Sequence, residues 1–246
     1  MRIKRYAESR LAEDWGRHKV GALVVKTSKI NHKTKGECYI PLPNPVFAYL
    51  AVAEEMGEAA KEVEKTLLKN AKEGTSKATG DKSTYFRPTD FDEYFQVVSV
   101  LVITSFLVIE AYCNQAIPED FIWHENKRRF PFFPKKKLSK RKIERGFSTT
   151  EKITKILPVV FKKDNPKGIA LWGDYKKLLK IRNDLVHLKS PFREKEGETY
   201  GKNYEELCEE VLNADVDQIV KTPRDIITYF NEQYFDDPDE NVRTTL

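Results

Sequence analysis

Residues 97–109 constrain the fold more than any other part of the chain. This stretch holds thirteen residues without a single charge, and its polar members are Ser99, Thr104 and Ser105. A helix that is apolar around most of its circumference must be covered on several sides by other elements. Thirteen residues also fall short of the roughly 20 that span a bilayer. The pattern therefore predicts the buried central helix of a mainly α protein.

Composition and breaker residues divide the rest of the chain. The central helix is predicted to begin with Asp90 as its cap and to end at Ile117, before Pro118. Residues 46–72 have strong helical composition, and 73–89 are predicted to be a loop. Further helices are predicted over 148–160, 169–189, 204–212 and 223–234; Ser148 and Thr149, followed by Glu151, suit the start of the first of them. We assign residues 1–45 to an N-terminal extension, with a β-like run at 21–26 that fits a small hairpin, and 46–246 to one helical domain.

Charge is distributed unevenly, although the net formal charge is only +5. Residues 127–146 contain ten Lys or Arg and one Glu, whereas the tail, 194–246, contains fifteen Asp or Glu and five Lys or Arg. A solvated charge run is the simplest interpretation of such a segment. The acidic tail is expected to be helical.

Phenylalanines lie among the cations of a basic, aromatic insert at 118–147, which favours RNA as a partner. Such an insert offers phosphate neutralisation together with rings on which unpaired bases stack. The rings are Phe130, Phe132, Phe133 and Phe147. The cations expected to bind RNA are Lys127, Arg128, Arg129, Lys135, Lys136, Lys137, Lys140 and Arg141.

The cysteines and histidines predict no cofactor. The three cysteines are widely spaced and include no Cys-x-x-Cys pair, so neither a disulfide framework nor a zinc site is expected. The four histidines show no metal-ligand spacing. Because the first ten residues are charged throughout and do not resemble a signal peptide, we expect a cytoplasmic protein that does not enter a membrane.

The predicted helix over 169–189 carries a cation on its apolar side. At about 100° per residue, Arg182 falls inside an apolar stripe. That stripe consists of Leu171, Tyr175, Leu178 and Leu185. A buried unpaired charge costs several kcal/mol, so Arg182 requires an anionic partner or a second chain. His187 lies about 140° away on the opposite side of the same helix.

Two segments together resemble a known family. Arg182, Asn183 and His187 form an Arg-Asn-x-x-x-His motif at the end of a long helix that must stop before Pro191. The earlier helix carries Ser-Phe-Leu-Val-Ile-Glu-Ala-Tyr-Cys-Asn, from Ser105 to Asn114, in which Glu110 follows thirteen uncharged residues. Over residues 46–190 the chain resembles the HEPN (higher eukaryotes and prokaryotes nucleotide-binding) superfamily. The resemblance implies an up-and-down helical bundle and, as in its ribonuclease members, metal-independent RNA cleavage at a dimer site in toxin–antitoxin or antiviral-defence settings.

The resemblance implies that Arg182, Asn183 and His187 are catalytic, with Glu110 and Asn114 as supporting residues. The chemistry of these side chains agrees. An imidazole exchanges protons near neutral pH, and a guanidinium fork matches two phosphate oxygens. Asn183 can orient the imidazole or bind phosphate. Because Arg182 and His187 diverge on one helix, we predict a homodimer that brings two copies of the motif together.

Other interpretations remain open. A non-catalytic HEPN-like RNA-binding or complex-assembly scaffold has the same helix pair, with Arg182 paired to Glu110 for structural reasons. A helical protein-interaction module whose basic and acidic parts attract each other is a third possibility. Many HEPN toxins carry a Tyr two residues after the motif His, where this chain has Lys189. Adenylylation at that position is therefore not supported. The resemblance implies an antitoxin or defence partner protein without identifying it.

Overall fold

The computed structural model describes residues 8–10, 23–25, 27–75, 82–124, 137–187 and 202–236. Its centre is the helix α2, Pro88–Gln115. Val98, Leu101, Val102 and Ile109 of this helix are fully buried. The prediction of a buried central helix is therefore confirmed.

Helix α1, Pro45–Asn70, covers one side of α2 and confirms the helix predicted over 46–72. The side chain of Asn44 caps it by accepting a hydrogen bond from the Val46 amide at 3.1 Å. At the other end, Asn70 Nδ2 donates to Asp90 Oδ2 at 2.9 Å. Since this bond joins the end of α1 to the start of α2, the two helices run antiparallel.

The start of α2 differs from the prediction. Arg87 is the N-cap and Pro88 is the first helical residue, whereas Asp90 lies inside the first turn. A proline is well suited to the first helical position, because the amide hydrogen that it lacks would have no partner there. Asp90 instead uses its carboxylate to bind Asn70, as described above.

Shorter helices follow α2 along the chain. Each of the four further segments predicted to be helical contains a helix, whereas α3, inside the predicted insert, was not predicted. The segment after the insert begins with a capping box between Ser148 and Glu151, as its sequence predicts. Pro223 lies inside the last helix and does not start it; Asp215 caps that helix by accepting from the Gln218 amide at 3.0 Å. The elements are α3 Lys140–Gly146, α4 Thr149–Glu151, a π-helical turn Lys152–Ile156, α5 Leu157–Phe161, a 3-10 turn Pro166–Gly168, α6 Ala170–Val186, α7 Lys202–Leu212 and α8 Val216–Phe230.

The β structure consists of four separate antiparallel hairpins among the described residues. They pair β1 Glu8–Arg10 with β2 Leu23–Val25, β3 Thr27–His32 with β4 Gly36–Pro41, β5 Lys72–Thr75 with β6 Lys82–Tyr85, and β7 Ile122–His124 with β8 Lys137–Ser139. The expectation of a hairpin before α1 is confirmed. The predicted loop over 73–89 is wrong at both ends, because β5 and β6 form there and pair with each other. The ring of Tyr85 lies across Gly74, where a Cβ would be 2.8 Å from Tyr85 Cε2.

The fold is mainly α with small β hairpins. Among the described helices, α2 alone is long and apolar enough to cross a membrane by composition, and 44% of its most apolar window is buried in the protein. Helices α1, α6 and α8 supply the cover. Such cover is what a largely apolar helix requires.

Candidate functional site

The predicted motif lies at the C-terminal end of α6. Tyr175 and Leu178 are buried on the inner side of this helix, and Leu171 and Leu185 are half-buried. Arg182 is also half-buried and lies against α2, as the helical periodicity predicts. The apolar stripe therefore does contain a guanidinium.

Arg182 is held by an aromatic ring and an amide. Its Cζ lies 5.0 Å from the ring centroid of Phe106 on α2, and its Nη1 donates to Asn183 Oδ1 at 3.0 Å. A guanidinium over a ring face gains about 0.5–2 kcal/mol, depending on how far it is removed from water. Among the described residues no carboxylate forms an ion pair with Arg182, so the Glu110 pair that the sequence left open is not formed.

Glu110 nevertheless shares the electrostatic environment of Arg182. It lies one turn after Phe106 on α2 and is half-buried. The Tyr175 hydroxyl hydrogen-bonds to Thr150 Oγ1 at 2.8 Å, and the charges of Glu110 and Arg182 both affect its pKa. Burial raises the pKa of Tyr175 to about 12; the Glu110 carboxylate adds to this rise and Arg182 opposes it. No described group hydrogen-bonds to the Glu110 carboxylate.

His187 follows the last residue of α6 and is exposed. Its amide donates to the Asn183 carbonyl at 2.8 Å, which makes it the C-cap of the helix. Asn183 therefore contacts both ends of the motif, through its side chain to Arg182 and through its backbone to His187. His187 is exposed, whereas the guanidinium of Arg182 is held against α2, so the two groups of the motif lie in different surroundings.

Asn114 contacts a lysine that the sequence did not identify. Asn114 lies one turn after Glu110 on α2, and its Oδ1 accepts from Lys152 Nζ at 2.7 Å. Lys152 is only 2% exposed, and its Nζ also donates to the Glu144 carbonyl of α3 at 3.0 Å. Both partners are formally neutral oxygens. Lys152 opens the π-helical turn, an irregularity that is frequent at functional sites.

The predicted RNA-binding cations fall into three groups. Lys127, Arg128, Arg129, Lys135 and Lys136 lie outside the described residues. Lys137 on β8 and Arg141 on α3 are exposed. Lys140 differs from the prediction, because its side chain is only 15% exposed and pairs with Glu119 at 2.8 Å and Glu144 at 3.9 Å.

The structure adds two cations to this surface that the prediction did not include. Lys142 and Arg145 of α3 are exposed beside Arg141. We call Lys137, Arg141, Lys142 and Arg145 the α3 patch. Their charge run was visible in the sequence, but only the short helix shows which members of the run face water.

The structure describes one of the four phenylalanines that were expected to stack on RNA bases. Phe130, Phe132 and Phe133 lie outside the described residues. Phe147 is half-buried, and its ring packs edge-on against Trp123 with centroids 6.4 Å apart. The ring of Phe147 thus takes part in packing within the insert, and its stacking on bases stays a prediction.

Among the described residues, no three or more His, Cys, Asp and Glu side chains form a group that would hold a metal ion. The three cysteines are unpaired, and burial raises the pKa of the Cys113 thiol to about 12. No protein-family model matches the chain, and no curated protein or solved structure is detectably similar to it. Any function must therefore be argued from the residues and their arrangement.

Proposed function

We propose that this protein is a cytoplasmic, metal-independent endoribonuclease of HEPN type that acts as a homodimer, in a toxin or antiviral-defence role. The observation that carries the proposal is the arrangement at the end of α6. There a half-buried guanidinium is fixed against Phe106, and five residues later the same helix ends at His187, which is exposed. A fixed cation and an accessible titratable base are the two groups that RNA cleavage by the ribose 2′-hydroxyl requires.

The proposed reaction uses each group for one task. His187 accepts the 2′-hydroxyl proton as O2′ attacks phosphorus, and Arg182 donates to the phosphate oxygens on which charge accumulates. The P–O5′ bond then breaks, and the imidazolium returns its proton to O5′. The products are a 2′,3′-cyclic phosphate and a 5′-hydroxyl end, so the proton balance closes without an external acid or base.

A second copy of the chain completes the proposed site. Arg182 is held inward against α2 while His187 points to solvent, so one protomer does not direct both groups to a single phosphate. Two-fold pairing of the α6 ends would place Arg182 of one protomer opposite His187 of the other. Each dimer would then contain two equivalent sites.

The outward face of α2 is the proposed contact between the copies. Val100, Ile103 and Leu107 recur at helical spacing on this face; Val100 is 42% exposed, and the other two are half-buried outside the main core of the described residues. Ile103 lies one turn before Phe106, the ring that holds Arg182. This apolar face is therefore next to the motif that the dimer must bring together.

A charge on this face is expected to separate the dimer. In Val100→Asp, a carboxylate would lose its water at the contact without gaining a partner, which opposes association. We expect sedimentation to report a monomer and RNA cleavage to fall at least tenfold. Val159→Asp is the matched control, because Val159 is 55% exposed on α5, away from α2's outer face. A parent protein that is itself a monomer, or a dimeric and active Val100→Asp variant, would contradict the proposed interface.

The α3 patch is the proposed entry surface for RNA, and neighbouring cations provide an internal comparison. Arg141 is exposed without an ion pair among the described residues, whereas Lys140 is engaged by Glu119 and Glu144. We expect Arg141→Gln to weaken single-stranded RNA binding and to lower the salt-dependence slope by about 0.7. Lys140→Gln should leave that slope unchanged. Equal slopes in both variants, measured by fluorescence anisotropy across a salt series, would reject this surface.

The proposal is tested by incubating the parent with single-stranded RNA in excess chelator and identifying the new ends. Cyclic phosphate ends support it.

The second candidate is a non-catalytic RNA-binding scaffold, which is favoured by the fact that both described contacts of the Arg182 guanidinium are internal ones. Tight, salt-dependent RNA binding without new ends would support the scaffold.

A further inference from the structure

We propose that Lys152 is a positioning residue that holds Asn114 as a phosphate contact between the α3 patch and the Arg182 site. This inference rests on the proposed RNA function and extends it to the path of the bound strand. Arg182 lies over Phe106, and Asn114 follows Phe106 by eight residues on α2, a separation of about 12 Å along the axis. Lys152 links Asn114 to α3 through the Glu144 carbonyl.

The chemistry of the lysine fixes the orientation of the amide. An ammonium only donates, so the Asn114 atom that faces Lys152 Nζ at 2.7 Å must be the carbonyl oxygen. The Nδ2 amino group then points away from Lys152, and Asn114 as a whole is half-buried. No described group accepts a hydrogen bond from this Nδ2. The amide therefore presents two N–H donors in a fixed orientation, which suits a phosphate oxygen.

Asn183 shows the same arrangement at the other end of the path. Its Oδ1 accepts from Arg182 Nη1, so its amino group is also turned away from the cation that holds it. Two amide side chains, Asn114 and Asn183, thus each accept a hydrogen bond from a cation on the side of the molecule formed by α2 and α6. An RNA strand that contacts the α3 patch and reaches Arg182 would pass Asn114 between them.

The charge of Lys152 has a second effect. Glu110 lies one turn before Asn114, and its carboxylate repels phosphate. The positive charge of Lys152 offsets this repulsion. Both charges also act on the Cys113 thiol: burial raises its pKa to about 12, the Lys152 ammonium lowers that pKa, and the Glu110 carboxylate raises it. A neutral residue at position 152 would leave the Glu110 charge without this compensation. Lys152 itself is too buried to touch RNA, which is why its role is positioning.

The test measures binding of a uniformly 2′-O-methylated single-stranded RNA oligonucleotide, which cannot be cleaved by 2′-hydroxyl attack. Asn114→Asp keeps an acceptor for Lys152 but removes both donors, so we expect about tenfold weaker binding with an undiminished melting temperature. Lys152→Met should weaken binding several-fold, and Lys155→Met, in the same π-helical turn but exposed, should not. In a double-mutant cycle, Lys152→Met should add little to Asn114→Ala, because both remove the same contact.

Binding of Asn114→Asp equal to that of the parent overturns the inference, whether or not Lys152→Met folds. Additive effects in the cycle overturn it as well, since they would mean that Lys152 acts independently of Asn114. A parent that binds the oligonucleotide and shows these effects, yet does not cleave unmodified RNA, leaves the inference intact and removes the nuclease proposal. A parent that does not bind the oligonucleotide rejects both.

Discussion

His187→Ala is expected to lower RNA cleavage by about 10²–10⁴-fold, the range that a positioned acid–base group contributes. His187 is exposed and interacts with α6 through its backbone amide, so the substitution removes the imidazole without removing packing. The free energy of unfolding should change by no more than about 0.5 kcal/mol. The measurement is the initial rate on a fluorescent single-stranded RNA in excess chelator, together with thermal unfolding.

His32→Ala is the control for this prediction. His32 is also exposed and lies in the β3–β4 hairpin, where its imidazole hydrogen-bonds only to Thr34 among the described residues. Its loss should leave cleavage unchanged. Free imidazole should restore part of the rate to His187→Ala, since it supplies the missing base in solution, and should not affect the parent. Parent-like cleavage by His187→Ala would remove this residue from the mechanism.

The sequence was most informative where one physical requirement dominated. The uncharged stretch at 97–109 had to be covered, and α2 is indeed central. Ser148 and Glu151 three residues later specified a helix start, and both hydrogen bonds of the capping box are present. Arg182 was placed on the apolar side of α6 by periodicity alone, and it lies there. Local spacing determines each of these features.

Contacts between residues that are far apart in the sequence could not be predicted from the spacing of residues along the chain. Arg182 was expected to have an anionic partner or to face a second chain; within the chain it lies over the ring of Phe106, because a guanidinium is attracted to an aromatic face as well as to an anion. No local pattern distinguished Lys152 from the other lysines, and only the fold places it between Asn114 and the Glu144 carbonyl. The β5–β6 hairpin was missed because its strands are short and polar, and the close approach of the Tyr85 ring to Gly74 across the strands is not visible in the spacing.

The composite site is expected to show complementation between two inactive variants. Arg182→Met keeps an apolar stem over Phe106 but removes the guanidinium, and His187→Ala removes the base. Each homodimer should be inactive. A heterodimer purified through two different affinity tags should regain about half of the parental rate, because one of its two sites combines the intact Arg182 with the intact His187.

The geometry makes this outcome specific. If both groups acted within one protomer, each chain of the heterodimer would still lack one of them, and no activity would return. A heterodimer of Arg182→Met with the Arg182→Met/His187→Ala double variant contains no complete site under either arrangement, so it measures the background. Failure of complementation in heterodimers of confirmed composition would exclude a site shared between protomers, even if His187→Ala and Arg182→Met were each inactive. Recovery near one half would require that Arg182, held against α2 of one chain, and His187, exposed at the α6 end of the other, act on the same phosphodiester.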